Sequence, residues 1–436
     1  MNPIELLKAS YAAAVAAADP LHIVPAHLRD AAARTTGRTL VIGAGKAAAA
    51  MARAVEEYWP REGALEGLVI TRYAHGYAGN ETAGSPSPRR ITVVEAGHPV
   101  PDESGETAAR DILRRVQTLG PDDLLLALVS GGGSSLLALP VDAISMADLK
   151  ATTRELLACG APIQDLNVVR KHLSRIQGGR LAARCRAPIV SLVISDVTGD
   201  APTHIASGPT VPDPSTYQDA LEILRKFECT VPAAVRAHLE RGARGAIDET
   251  PKPGSPVFAR ADTRVIATAH QSLEAAALVF RAAGITPVLL GDSVTGEARE
   301  AAKVHAAIAR EIAQYGQPFR RPVALISGGE CTVTLKNPNG RGGRCSEYLL
   351  SLAIELDGMP GAYGLAADTD GIDGSESNAG AWFAPETLAT LAAQGVRADR
   401  LLQANDAYGF FERSGGLLVT GPTRTNVNDY RALLLS

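Results

Sequence analysis

Leu124-Leu-Leu-Ala-Leu-Val129 runs directly into Ser130-Gly-Gly-Gly-Ser-Ser135 and returns to apolar residues at Leu136-Leu137. The apolar run reads as a buried strand bounded by a turn. Three consecutive glycines let the backbone turn sharply and approach a ligand closely. Exposed amides at such a turn, beside a helix start, favour an anion. Ser130, Gly131, Gly132, Gly133 and Ser134 are therefore candidate binding residues. The pattern recurs as Val323-Ala-Leu-Ile-Ser-Gly-Gly-Glu330, which adds Glu330. Two strand-to-glycine turns predict a protein that handles a phosphate or a carboxylate.

Outward from these turns, Ala-rich helical segments alternate with short apolar strands, the α/β pattern. Strands are expected at 39–42, 67–71, 91–95, 124–129 and 189–194, with helices at 46–58, 105–117 and 146–159. A second set has strands at 264–267, 286–290, 322–326, 332–335 and 363–366, with helices at 272–283, 296–315 and 345–355. Between the sets, residues 241–261 carry Gly242, Gly245, Pro251, Pro253, Gly254 and Pro256, the composition of a linker or long surface loop. Two α/β domains are expected, at 1–240 and 262–436, with a cleft between them.

The 436 residues are 46% hydrophobic and 21% charged, ordinary for a soluble globular protein. Aromatics at 4% and a net charge of −4 argue against nucleic acid and against an anionic membrane. Five scattered cysteines without a C-x-x-C pair disfavour a disulfide framework or a zinc site, so a cytoplasmic setting is expected. No apolar run is long enough to span a bilayer. Glu5, Lys8 and Asp19-Pro20 interrupt any signal-peptide core, and the first residues read as an amphipathic helix.

Several further segments carry candidate chemistry. Thr39-Leu-Val-Ile-Gly43-Ala-Gly45-Lys46 is a strand, a glycine turn and a helix start. It lacks the P-loop spacing and the third glycine of a dinucleotide fingerprint, although Ala48 stands in that place. Gly43 and Gly45 could serve only strand–helix packing. Lys46 at a helix N-terminus opposes the dipole and is better explained by an anion beside it. Gly97-His98-Pro-Val-Pro-Asp102-Glu-Ser104 precedes a helix, with Asp102 or Ser104 as its cap and His98 open as a base or donor. Arg170, Lys171, His172, Arg175 and Arg180 stand beside Gly178-Gly179, and Val168, Val169, Leu173 and Ile176 give that helix an apolar face. The basic residues are therefore expected to emerge together as a phosphate-neutralising cluster.

Ser195-Asp196-Val-Thr-Gly-Asp200 puts two carboxylates at a strand's carboxyl end, and Ser207-Gly-Pro-Thr210 follows. Asp196 and Asp200 suit magnesium, which takes one or two carboxylates plus phosphate oxygens. The alternative is a pair of Asx turns. Asn339-Gly-Arg341-Gly-Gly-Arg344-Cys-Ser-Glu347 reads as arginines at a helix start, again an anion site. Asp368-Thr-Asp370-Gly-Ile-Asp373 lacks the terminal glutamate of a calcium loop and reads as an acidic cleft loop.

Taken in order, these motifs resemble the glycerate 2-kinases with a MOFRL-type C-terminal domain, a family whose members often bear the name tartrate-utilisation hydroxypyruvate reductase. The match runs through Gly43–Lys46, Gly97–Asp102, Ser130–Ser135, Val169–Ser174, Ser195–Asp200, Ser207–Thr210, Ser327–Glu330 and Thr369–Gly374, over nearly the whole chain. The resemblance implies ATP-dependent phosphorylation of D-glycerate at the 2-hydroxyl. It implies a Rossmann-like three-layer domain, a second α/β domain with a mixed sheet, and an active site in the cleft between them. It also implies Lys46 and Arg344 as catalytic residues. One departure concerns the helix start, where many members have asparagine and this chain has Cys345, removing a good N-cap.

Phosphoryl transfer needs positioning and charge neutralisation more than covalent chemistry. Lys46 and Arg344 suit the charge, Asp196, Asp200 or Asp370 suit Mg2+ or the hydroxyl, and Lys171 or Arg341 suits the acid's carboxylate. D-glycerate and ATP are the expected small-molecule partners of a monomer or homodimer. An NAD(P)H-dependent hydroxypyruvate reductase is the alternative. Against it, the second strand is followed by Thr71-Arg72-Tyr73 rather than the acid that reads a ribose, although Arg72 could meet an NADP phosphate. A non-catalytic ligand-binding regulator would need neither the lysine nor the paired acids.

Overall fold

Three apolar runs, β1 (Thr39–Ala44), β4 (Leu124–Val129) and β5 (Ile189–Ile194), are buried at every position. Strands covered on both faces read as continuous apolar runs rather than alternating ones. With β2 (Leu65–Arg72), β3 (Ile91–Ala96) and β6 (Ala261–Ala267) they form a six-stranded sheet in the order β3-β2-β1-β4-β5-β6. The pairings β1/β2, β2/β3, β1/β4 and β4/β5 are parallel. The order reverses between β1 and β4, and open α/β sheets bind ligands at the carboxyl ends beside such a reversal. Gly43–Lys46 and Ser130–Ser134 are the turns that leave those two strands.

The computed structural model describes residues 2–60, 64–76 and 90–436. Its contacts divide the chain into two units, Pro20–Ile266 and a second formed by the residues up to Asp19 with Ala267–Ser436. This differs from the expected boundary at 241–261 in two ways. Arg264–Ala267, expected to open the second set, lies in β6 at the edge of the first sheet. The first helix, Pro3–Ala16, belongs to the second unit.

The second unit holds a six-stranded mixed sheet. Its strands are β7 (Thr286–Gly291), β9 (Val323–Gly329), β11 (Ala362–Asp368), β12 (Gly380–Phe383), β13 (Leu417–Leu418) and β14 (Asp429–Leu435), in the order β13-β12-β11-β14-β9-β7. Only β7/β9 is parallel; β14 runs antiparallel between β11 and β9. The expected strand at 332–335 is reduced to β10 (Cys331–Thr332), which pairs with β8 (Gly296–Glu297).

Helix Pro3–Ala16 starts where Asn2 Oδ1 accepts from the Ile4 amide. It buries Leu6, Leu7, Tyr11 and Ala14 in a cluster with Phe280, Ile326, Leu365 and Tyr430. Ser10 Oγ and Tyr430 Oη lie 2.7 Å apart, and Tyr11 Oη donates to the Asp368 carbonyl. Sequence ends here and packing begins: a helix read as merely amphipathic is a core element. Leu7 is fully buried, so Leu7→Ala is expected to cost about 2–5 kcal/mol. Urea unfolding followed by a probe in the second unit should show the loss. A change below ~0.5 kcal/mol would show that the helix contributes nothing there.

Candidate active site

The turns after β1 and β4 interlock. The Ser130 amide donates to Ala44 O, the Lys46 amide to Gly131 O at 2.8 Å, and the Ala47 amide to Ser130 Oγ at 3.0 Å. Gly45 sits at φ 139° with its Cα pressed on Ser130; a Cβ there would lie 2.1 Å from Ser130 Oγ. Gly43 has the packing role, because a Cβ would meet Leu128 O at 2.6 Å. The two glycines therefore divide the readings between them: one packs strands, the other lets two turns touch.

Gly132 faces the chemistry. A Cβ on it would lie 3.0 Å from His98 Nε2 and 3.5 Å from Lys46 Cγ, so Lys46, His98 and the triple-glycine turn converge. The His98 loop is shaped by Asp102, which accepts from the amides of Gly97 and Gly105 and from Tyr73 Oη, and caps helix Glu103–Val116 as expected. Among the described residues the amides of Gly131, Gly132 and Ser134 donate to no protein acceptor. Three such donors on one turn form a concavity suited to an anion.

Ser207 meets this turn from the other side. Its Oγ lies 2.9 Å from Ser134 Oγ and donates to Asn167 Oδ1 at 3.2 Å. Ala206 and Ser207 have φ of 49° and 57°, unfavourable for side-chain-bearing residues. Gly178 and Gly179 hold them there by donating to the carbonyls of Ser207 and Gly208. Asp196 and Asp200 follow β5 and are partly exposed, with Asp200 at φ 53°. Among the described residues no group of three His, Cys, Asp or Glu side chains could hold a metal unaided.

The basic cluster does not emerge together. Helix Ile163–His172 spreads its cations around its circumference, some of them inward. Lys171 is 1% exposed, and its ammonium donates to Thr203 and Asp213 at 2.8 and 3.1 Å. Burial draws the Lys171 pKa down, against the pull of Asp213. That lysine is engaged inside the unit and does not present itself to a substrate. His172 is also buried, 3.3 Å from Glu249, while Arg175 pairs with Asp142.

In the second unit, the Ser327-Gly-Gly-Glu330 turn differs from its counterpart. A Cβ on Gly329 would lie 2.4 Å from the Val294 backbone, and Gly328 O accepts from Arg431. These glycines admit close backbone packing. Arg344 donates through Nε to Asp429, through Nη1 to Glu330 and through Nη2 to Asp368, at 2.7, 2.8 and 2.8 Å. Burial alone would lower its pKa, but Asp429, Asp368 and Glu330 outweigh it and hold the guanidinium firmly charged.

The helix start at Arg344 is also taken. Asp373 accepts from the amides of Cys345 and Ser346, at 3.0 and 2.8 Å, so the anion at that N-terminus is a side chain of the protein. It supplies the cap that Cys345 cannot, and Cys345 itself is fully buried. Asp370, also buried, accepts from the Ile372 amide. Arg341 stacks on Tyr408 at 4.2 Å and pairs with Glu376 and Glu412. Sequence reading missed Asp429 and Arg431, Asn167, and Asp373 as a cap. The signal for the first two was a charge on either side of Tyr430 inside an apolar terminal run.

The chain matches the domain of unknown function DUF4147 over residues 6–240 and the MOFRL family over 323–429. It is 40% identical over 394 residues to a glycerate 2-kinase of Pyrococcus horikoshii, covering 90% of this chain and 86% of that protein. It is 47% identical over 433 residues to an Agrobacterium vitis protein provisionally named a hydroxypyruvate reductase, covering 99% and 94%. The crystal structure of glycerate kinase from Thermotoga maritima aligns with a TM-score of 0.84 at 36% identity, covering 99% of each chain. The chain belongs to the glycerate 2-kinase family with a MOFRL region.

Arg344 binds three carboxylates at once, so its loss should be structural as well as functional. Arg344→Ala takes one cation from each of the buried Asp368 and Asp429, the latter keeping Arg431, a cost of about 3 kcal/mol. Thermal unfolding should show it as a lower midpoint for the second unit. An unchanged midpoint would show that the triple pairing carries no stability.

Proposed function

We propose that this protein phosphorylates D-glycerate at its 2-hydroxyl with ATP, giving 2-phosphoglycerate and ADP. The observation that carries the reading is the turn Ser130–Ser134 at the sheet's reversal, with unpaired amides at Gly131, Gly132 and Ser134 and with Lys46 and His98 beside Gly132. Its amides suit phosphoryl oxygens, and Lys46 suits the charge that develops in transfer. Membership of a family that includes named glycerate 2-kinases supports the substrate.

In this reading Lys46 and the turn hold the transferring group, with Ser130, Gly133 and Gly45 fixing the turn's shape. Asp196 or Asp200 holds Mg2+ or orients the hydroxyl. The donor set fits a hard cation: partly exposed carboxylates at a strand end, too few to form a cage without phosphate oxygens. Mg2+ supplies charge neutralisation on those oxygens when bound. Arg344, with Glu330 in contact, acts by fixing Asp368 and Asp429. Residues 6–240 form the part that carries the glycine turns, and no helix among the described residues is long and apolar enough to cross a membrane. A cytoplasmic setting fits five cysteines that are all unpaired.

The reductase reading meets a specific obstacle. A dinucleotide pyrophosphate sits on the amides of the first strand-to-helix turn. Here the Lys46 and Ala47 amides are taken by Gly131 and Ser130. The protein with D-glycerate, ATP and Mg2+ is expected to yield 2-phosphoglycerate by phosphorus NMR. Lys46→Ala should lower kcat about 100-fold with folding retained. Oxidation of NADH or NADPH by hydroxypyruvate, without any phosphorylated acid, would overturn the assignment.

A further inference from the structure

The carboxylate of a small hydroxy acid needs a cation, and neither Lys171 nor Arg341 is available for it. Lys171 is buried on Asp213, and Arg341 is engaged by Glu376 and Glu412. The neighbouring Arg170 is different. It lines a recess with Pro101, Ser134, Thr153, Ser174 and Gln177. No acidic residue lines that recess, and among the described residues no carboxylate pairs with Arg170. Burial, with no charged neighbour to offset it, draws the Arg170 pKa down to about 10, so the guanidinium stays protonated at neutral pH. Arg170 is half-buried, and a cation partly withdrawn from water without a counter-ion is costly to keep. The carbonyl end of its own helix offsets part of that charge, but it supplies no full anion.

The recess has a size and an address. Its cavity volume is about 10 Å3, room for one water-sized group, so an anion reaches Arg170 there through a single oxygen with the rest of the acid at the mouth. One wall is Ser134, whose amide belongs to the unpaired set of the glycine turn. Gln177 Nε2 fixes that wall by donating to the Ser134 carbonyl at 2.7 Å. An anion held at Arg170 is thereby adjacent to the turn where phosphoryl oxygens are proposed to sit.

We propose that Arg170 is the residue that captures the carboxylate of the acceptor acid, in the recess walled by Ser134, Thr153 and Gln177, and so sets the preference for a hydroxy acid over an uncharged polyol. This rests on the kinase reading above. A guanidinium gives a carboxylate oxygen a charge-assisted hydrogen bond, roughly twice as strong as a neutral one. The three-carbon acid is short enough for its 2-hydroxyl, on the atom next to the carboxyl carbon, to face the Ser130–Ser134 turn.

Steady-state kinetics of Arg170→Met and Arg170→Lys tests the proposal, with D-glycerate and its primary amide as acceptors. Arg170→Met should raise KM for D-glycerate at least tenfold and leave KM for ATP within twofold. Its preference for acid over amide should collapse towards one, with Arg170→Lys intermediate. If the methionine variant does not fold, Arg170→Gln, which keeps a polar side chain without the charge, takes its place. That variant should lose D-glycerate affinity by the same margin. An unchanged acid-to-amide ratio in a folded variant, or equal losses for ATP and acid, would overturn the proposal. If the unmodified protein phosphorylates no acid, the kinase reading fails separately. Calorimetric titration of D-glycerate then decides the recess alone: binding lost in Arg170→Met supports it, and equal binding by both proteins sinks it.

Discussion

The site depends on how closely two turns approach each other. Gly45 and Ser130 come together so tightly that a Cβ at position 45 would fall inside the serine hydroxyl. That contact lets the Ser130 side chain reach the Ala47 amide and lets Gly131 O take the Lys46 amide. The first turn gives up its donors to the second, and among the described residues the second keeps the amides of Gly131, Gly132 and Ser134 without a protein acceptor. The order of strands decides that this exchange happens at the reversal between β1 and β4, where a ligand can reach the carboxyl ends of both.

Charge follows a related rule in both units: most cations that look available in the sequence are already spent. Lys171 lies on Asp213, Arg341 on two glutamates, and Arg344 on three carboxylates. A buried ion pair is weak evidence for stability, yet breaking one is expensive because it strands the partner. Arg344 is thus better described as the residue that orders Asp368 and Asp429 than as a free phosphate clamp. Asp373 treats the neighbouring helix start in the same way, occupying its amides with a protein carboxylate. Around Ser134, among the described residues, three amides of its turn and the guanidinium of Arg170 have no protein partner.

The parallel sheet was legible because its strands are short, apolar and bounded by glycine, and both faces are buried. The Ser130–Ser134 turn and the Asp102 cap were legible for the same reason: their chemistry is local. Three things were not. Strand β14 carries Asp429, Tyr430 and Arg431 where apolar periodicity would be sought, and only the antiparallel pairing with β9 and β11 explains them. Helix Pro3–Ala16 owes its place to Phe280 and Tyr430, hundreds of residues away in sequence. Helix Ile163–His172 has an apolar face and five nearby basic or histidine residues, which suggested a single basic surface. Lys171 and His172 instead enter the core because Asp213 and Glu249 meet them there, and no spacing rule reveals that.

The two glycine turns show why a repeated string is not a repeated function. Both read Ser-Gly-Gly after an apolar strand. The first leaves a parallel strand and turns at once, with Gly132 at φ 80°, so its amides point away from any ladder. The second stays in an antiparallel ladder as far as Gly329, opposite Asp429, and its glycines are required by the backbone of Val294. Strand direction therefore determines what the same residues can do. The same distinction bears on the dinucleotide alternative, since the order β3-β2-β1-β4-β5-β6 is that of many nicotinamide-binding sheets. Topology leaves both chemistries open. The hydrogen-bond accounting at Lys46 and Ala47 does not, because amides already donating to Gly131 and Ser130 cannot also hold a pyrophosphate.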